Sequence, residues 1–97
     1  MQAYQVYWQA QAIQDLKNIR AYLNEIQAPI RILGKIVDQA GELCYFPGRF
    51  RKISETSDIR CLIVEDYSVF YRMIEEKRLV QILYVWHHSR ELTSLSE

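Results

Sequence analysis

The sequence predicts a small α+β domain whose elements follow the order strand, helix, helix, strand, strand, strand (β-α-α-β-β-β). Apolar residues recur every three or four positions between about residues 10 and 44, which is typical of amphipathic helices. Aromatic and β-branched runs flank that region, at residues 4–8 and 59–88. Because the last three runs are separated by only a few polar residues, they should form an antiparallel meander. The 97 residues suffice for a single domain, which we assign to residues 1–97.

The N-terminal part reads as a short strand followed by a helix. Residues 4–8 alternate aromatic and β-branched side chains with polar ones, which favours a strand. The apolar stripe that predicts a helix over about residues 10–26 consists of Ile13, Leu16, Ile19, Tyr22 or Leu23, and Ile26. Asp15 and Lys17 lie between these positions, so we place them on the polar side of the helix.

A second helix follows after a short link. Pro29 suits its first turn, where the missing proline N–H removes no hydrogen bond. Its apolar stripe consists of Leu33, Ile36, Val37, Ala40, Leu43 and Cys44. Pro47 and Gly48 end the helical pattern. Since the link between the helices is short, we expect an antiparallel helical hairpin that packs on the sheet.

Three strands complete the chain, at residues 59–64, 67–74 and 79–88. Glu65 and Asp66 form the first turn, and the charged residues 75–78 form the second. The last strand is the longest and is apolar on both faces, which predicts a central place in a mostly antiparallel sheet.

Composition excludes several classes of protein. Twelve basic and twelve acidic residues give a formal net charge of zero, which argues against a nucleic-acid binder that is basic all over. Cys44 and Cys61 have no metal-ligand spacing, so we expect buried reduced thiols, no metal and no cofactor. No signal peptide and no apolar run of roughly 18 residues is present, which predicts a cytoplasmic protein without membrane contact.

Alternation along the strands predicts two different sheet faces. The helices should cover the face that carries Val69, Tyr71, Leu83 and Val85. The opposite face then carries Phe70, Arg72, Tyr84, Trp86 and His88. Aromatic side chains beside arginine and histidine are typical of a binding surface. The alternative is that the second helix or the loop at residues 49–58 also covers this face.

The two histidines should point to opposite faces because they are adjacent on a strand. His88 lies on the more open face and suits general acid or base chemistry, or it is a hydrogen-bonded surface histidine. We interpret His87 as a core histidine.

Basic residues concentrate just before the first strand of the meander. Arg49, Arg51 and Lys52 are three positive charges within four residues, and Arg60 continues the basic segment. Arg90, after the last strand, could extend the patch. Such a segment can contact phosphates, or it is simply a solvated loop.

The segment from Ile59 to Glu91 carries a recognisable layout, Tyr-x-x-x-Tyr…Ile-Leu-x-Val-x-His-x-x-Arg. Its residues here are Tyr67, Tyr71, Ile82, Leu83, Val85, His87 and Arg90. A strand that ends at Trp8 and a helix end at Leu43…Pro47-Gly48 precede it. In this order and with these turn lengths, the chain resembles the RelE/ParE family of bacterial toxins from type II toxin–antitoxin systems.

This resemblance implies a toxin that a cognate antitoxin holds inactive, either as a toxin–antitoxin hetero-oligomer or with the toxin as a homodimer. RelE-like members cleave mRNA in the ribosome, where basic residues hold phosphates. ParE-like members inhibit DNA gyrase. The expected target-binding or phosphate-binding residues in this chain are Arg49, Arg51, Lys52, Arg60, Arg72, Tyr84 and Trp86.

The chain departs from the RelE-like pattern at several positions. Ser68 and His88 stand where RelE-like nucleases have arginines. Ile59 and Cys61 stand where such nucleases have basic residues on the second strand, and no tyrosine follows Tyr84. These departures favour a ParE-like gyrase inhibitor. The alternative is a RelE-like mRNA endonuclease with an altered site, in which His88 and Arg90 would be catalytic.

Overall fold

The computed structural model describes residues 3–88 and consists of a four-stranded sheet with two helices. The main elements are β1 (Gln5–Trp8), α1 (Ala10–Glu25), α2 (Arg31–Gly41), β2 (Ile59–Val64), β3 (Tyr67–Ile74) and β4 (Leu79–His87). Short 3-10 turns occupy Glu42–Cys44, Pro47–Arg49 and Glu75–Lys77. The predicted α+β class and element order are therefore confirmed.

The sheet has the strand order β1-β4-β3-β2. The three C-terminal strands pair antiparallel as a meander, and β1 lies parallel to β4 along its other edge. The long apolar strand β4 is thus internal, as its sequence predicts. The parallel pairing is possible because the whole helical pair connects β1 to the rest of the sheet.

Both helices pack on one face of the sheet, α1 against β4 and α2 against β2. The core between the layers includes Ile19 and Leu23 of α1, Ile36 of α2, and Val80 and Val85 of β4. The predicted helix stripes are partly wrong, because four of their residues are 44–52% exposed: Ile13, Tyr22, Ile26 and Val37. The buried side of α1 is instead Ala12, Asp15, Ile19 and Leu23.

Asp15 is the main correction on α1, because it is buried and not on the polar side. Its Oδ2 accepts a hydrogen bond of 2.9 Å from the backbone N–H of Val85, and its Oδ1 accepts one of 2.8 Å from Gln11. Strand β1 ends at Trp8, opposite Ile82, so the edge of β4 beyond that point has no neighbouring strand. The Asp15 carboxylate therefore accepts the hydrogen bond of a Val85 N–H that has no partner strand.

An irregularity in β4 changes which side chains face the helices. Phe70 pairs with Tyr84, whereas the next residue, Tyr71, pairs with Ile82, so Leu83 is an extra residue. Such a bulge reverses the alternation along the strand. Ile82 is consequently fully buried, while Leu83 is only half-buried. The prediction that Leu83 lies under the helices with Val85 is wrong for this reason.

The helical boundaries differ slightly from those predicted. Helix α2 begins at Arg31, so Pro29 precedes it and does not stand in its first turn. The helical path continues past Gly41 as the 3-10 turn to Cys44. Cys44 and Cys61 are not joined in a disulfide, and both are half-buried, not buried as predicted. In the range 3–88, no helix has both the length and the apolarity that a membrane span requires.

Candidate functional site

The helices leave one face of the sheet uncovered, and we call the side chains on that face of β3 and β4 the open face. It consists of Ser68, Phe70, Arg72, Tyr84, Trp86 and His88. The rings of Phe70 and Tyr84 lie 4.8 Å apart at 35°, and Trp86 meets Tyr84 edge-on at 6.4 Å. All but Ser68 are partly exposed. Directly opposed side chains on paired strands produce this packing.

Arg72 lies at one end of the open face. Its Nε donates a 3.1 Å hydrogen bond to Oε1 of Gln81, its cross-strand partner. Because that bond uses one of five guanidinium donors, the remaining donors can face a ligand.

Ser68 and His88 meet at the other end of the open face. The Ser68 hydroxyl and His88 Nε2 are 3.0 Å apart, and the backbone N–H of His88 donates to the carbonyl of Asp66. Ser68 is almost fully buried, whereas the imidazole is half-buried. Where the Ser68 hydroxyl donates this hydrogen bond, Nε2 is the acceptor and the neutral imidazole carries its proton on Nδ1. The bond therefore orients the His88 imidazole at this end of the open face.

His87 points away from this cluster, as adjacent strand positions require. Its ring meets Tyr67 edge-on, with centroids 4.8 Å apart, beside the helices. Burial raises the pKa of the Tyr67 hydroxyl, and the negative charge of Asp66 adds to the shift. His87 is half-buried and borders a groove near the end of α1.

The basic segment divides into two parts. Arg49, Arg51 and Lys52 are exposed, and Lys52 pairs as an isolated bridge with Arg60, so the segment runs along the edge of β2. Arg60 is different because its Nη1 donates to the carbonyls of Gly48 and Phe50, at 3.1 and 2.6 Å. These bonds give Arg60 a role in holding the preceding loop.

The structure therefore places Arg72, Tyr84, Trp86 and His88 on one sheet face, with Arg72 and His88 at opposite ends of it. The basic segment lies along the edge of β2. Arg90 lies outside the described residues. The sequence predicts no function for Ser68, which stands where RelE-like nucleases have an arginine. Its alternation with Phe70 and Arg72 already placed it on the open face, but its pairing with His88 needs the strand register. Among residues 3–88, no three His, Cys, Asp or Glu side chains group as metal ligands.

Comparison with known proteins gives a family and a fold. Residues 6–92 match the family model described as ParE toxin of type II toxin-antitoxin system, parDE. No curated protein sequence matches the chain.

Solved structures are similar over nearly the whole chain. A chain of the toxin–antitoxin complex RelBE2 from Mycobacterium tuberculosis is 30% identical, with a TM-score of 0.69 over 90% of this chain and 93% of that one. A chain of the chromosomal ParDE system from P. aeruginosa is 22% identical, with a TM-score of 0.76 over 88% of this chain and 96% of that one. A mutant of the E. coli toxin RelE in the free state is 18% identical, with a TM-score of 0.66 over 95% of this chain and 92% of that one.

These likenesses agree with the strand order and the helical layer described above. The RelE and ParE structures share this one fold, since both superpose on the chain over most of its length. The chain therefore belongs to the RelE/ParE group of type II toxin–antitoxin toxins, and its sequence matches the ParE toxin family.

Proposed function

We propose that this chain is a toxin that inhibits DNA gyrase in the manner of ParE-like toxins and that a cognate antitoxin neutralises it. The match to the ParE toxin model over residues 6–92 supports the first part. The similar chains in the RelBE2 complex and the ParDE system come from toxin–antitoxin pairs, which supports the second.

The observation that carries the proposal is the chemistry at Ser68 and His88. The resemblance to RelE-like nucleases predicts arginines at both positions, and two arginines would place permanent positive charge beside a scissile phosphate. Here a hydroxyl and an imidazole occupy these positions and hydrogen-bond to each other at 3.0 Å. This pair lacks the permanent charge of two guanidinium groups, which favours a toxin that binds its target over one that cleaves RNA.

The rest of the open face fits a protein target. Phe70, Tyr84 and Trp86 offer aromatic area that is already held by mutual ring contacts. Aromatic side chains with an adjacent arginine are enriched at protein interfaces. Arg72, anchored on Gln81, supplies that cation.

A supercoiling assay with purified gyrase tests the proposal. The wild-type chain should inhibit supercoiling, and Tyr84→Ala should weaken the inhibition about tenfold or more, since interface aromatics are often worth over ~1.4 kcal/mol. Tyr22→Ala is the matched control, because Tyr22 is 52% exposed on α1, away from the open face. Supercoiling that is unaffected by excess wild-type toxin would contradict the proposal.

Ribosome-dependent mRNA cleavage is the second candidate, and one observation favours it. His88 is half-buried and oriented by Ser68, which suits a general acid or base. Mapping of RNA ends after induction tests it: codon-positioned cuts should appear with the wild type and disappear with His88→Ala. Intact messages in cells whose growth the wild type arrests would exclude this activity.

A further inference from the structure

Two neighbouring aromatic side chains stand out of the surface between α2 and β2. Tyr45 and Phe46 are each 60% exposed. Phe46 also has a left-handed backbone, with φ 49° and ψ 56°. A bulky residue in that region is strained, and such strain is concentrated at binding and switch sites. Phe46 therefore costs stability in two ways: its backbone is strained, and its apolar ring is exposed to water.

The loop that carries these rings is held from several sides. The Tyr71 hydroxyl donates a 2.5 Å hydrogen bond to the carbonyl of Pro47. Arg60 donates to the carbonyls of Gly48 and Phe50. Because these bonds join the loop to β2 and β3, the strained conformation is set before any ligand arrives. A rigid aromatic loop loses little entropy on binding.

A cavity of about 440 Å³ opens beside the two rings. Tyr4, Cys44 and Met73 contribute to its walls. The guanidinium of Arg78 lies over the Tyr4 ring, 5.3 Å from its centroid. Apart from Arg78, the lining residues are apolar or aromatic, with the hydroxyls of two tyrosines among them, and none is acidic. The cavity therefore suits one large apolar side chain with a carboxylate close by.

We propose that this cavity is a docking site for the cognate antitoxin, which inserts a large apolar side chain between Tyr45 and Phe46 and places an acidic residue on Arg78. The proposal rests on the proposed function only in requiring an antitoxin. A concave apolar site with a single cation favours a peptide, because single-stranded nucleic acid needs a cationic track along its backbone.

The location makes the proposal separable from toxicity. Arg78 immediately precedes β4, whereas His88 immediately follows it, so the cavity and the Ser68–His88 pair lie at opposite ends of that strand. A variant that loses antitoxin affinity at the cavity should still inhibit gyrase through the open face. The antitoxin would then bind the toxin at a site that the target of the toxin does not contact.

The test measures the affinity of the antitoxin encoded in the adjoining reading frame for purified toxin variants. Phe46→Gly removes both the ring and the strain, and it should weaken binding at least tenfold without lowering the melting temperature. Arg78→Gly, at a second left-handed position with φ 51°, should weaken binding similarly. Gln27→Gly is the matched control, since it relieves a left-handed residue with φ 57° far from the cavity, and its affinity should equal the wild type's.

Cysteine labelling gives an independent readout. Cys44 lines the cavity, so the bound antitoxin should slow its alkylation by N-ethylmaleimide in the wild type, as followed by mass spectrometry. Affinities of Phe46→Gly and Arg78→Gly within twofold of the wild type would overturn the proposal, as would a wild-type toxin that does not bind the antitoxin. So would a Phe46→Gly variant that loses gyrase inhibition but keeps its antitoxin affinity. Weakened antitoxin binding in a toxin that never inhibits gyrase would instead support the docking site and refute the proposed target.

Discussion

At the scale of single residues, two buried polar groups connect parts of the chain that are far apart in sequence. Asp15 joins α1 to the edge of β4, and Tyr71 joins β3 to the loop at Pro47. Each satisfies a backbone group that regular secondary structure leaves without a partner. We therefore expect both residues to contribute to the free energy of unfolding, which the sequence pattern alone does not indicate.

Removing the Asp15 carboxylate should destabilise the fold. Asp15→Ala leaves the buried N–H of Val85 without an acceptor, so the free energy of unfolding should fall by about 1–3 kcal/mol. Urea denaturation followed by circular dichroism measures this. Asp38→Ala, at an exposed aspartate on α2, should change stability by less than about 0.5 kcal/mol. Equal effects of the two substitutions would refute this account of Asp15.

Tyr71 makes the stability depend on alkaline pH. Burial raises its pKa to about 12 from the ordinary value of 10.0. The unfolded chain then releases the tyrosine proton at lower pH than the folded chain, so stability is lost as the pH rises from 10 towards 12. In Tyr71→Phe, this part of the decline in urea midpoints should disappear. An identical alkaline slope in the two proteins would contradict the assignment.

At the scale of elements, the end of α1 shows how the link between the helices is made. The N–H of Ala28 bonds the carbonyl of Leu23, and the N–H of Gln27 bonds that of Asn24. This pair of bonds is a Schellman motif, in which glycine usually occupies the left-handed position. Here Gln27 occupies it with φ 57°. The motif turns the chain towards α2 at the expense of backbone strain.

Glycine at this position should therefore stabilise the protein. Gln27→Gly should raise the free energy of unfolding by about 0.5–1 kcal/mol, because the left-handed conformation no longer strains a Cβ atom. Gln27→Ala keeps the Cβ atom and should give no such gain. Thermal melts of the wild type and the two variants measure the difference in stability. A gain of equal size with alanine would show that strain is not the cause.

The two edges of the sheet also differ at this scale. The short strand β1 covers only the first half of β4, and α1 supplies Asp15 where β1 stops. On the other side, the segment around Lys52 continues the pairing beyond β2 through its bridge to Arg60. Covered edges of this kind limit unwanted pairing between chains.

At the scale of the whole molecule, the open face, the helices and the cavity beside Tyr45 and Phe46 occupy different parts of the surface. The open face with the Ser68–His88 pair occupies one side of the sheet, and the helices occupy the other. The aromatic cavity lies at the end of β4 that is remote from His88. In this chain of 97 residues, the surface that we propose for the target and the one that we propose for the antitoxin are therefore separate.

Partner binding should stabilise this small domain strongly. Antitoxin at 100 times its dissociation constant should add about 2.7 kcal/mol to the free energy of unfolding. For a domain of this size the melting temperature then rises by roughly 10–20 °C. Thermal melts with increasing antitoxin measure the shift, with an unrelated protein of similar size as the control. A melting temperature that stays constant at saturating antitoxin would refute specific binding to the folded toxin.

Much of the fold follows from the sequence, and the errors have definite causes. Hydrophobic periodicity and the spacing of turn residues predicted the helices and strands that residues 3–88 form, because both are local properties of the sequence. The Leu83 prediction failed because a bulge depends on pairing with β3. The stripe on α1 was misplaced because Ile13 and Tyr22 are apolar yet exposed, while Asp15 is polar yet buried. Which face of a helix is buried depends on the sheet against which it packs.

The sequence by itself determined the α+β class, the order of elements and the aromatic character of the strand that forms the open face. Only the tertiary structure decided that Ser68 meets His88, that Arg60 holds the loop before β2, and that Tyr45 and Phe46 border a cavity with Arg78. The physical reason is distance along the chain. These contacts join residues ten or more positions apart, and strand register and loop conformation bring them together.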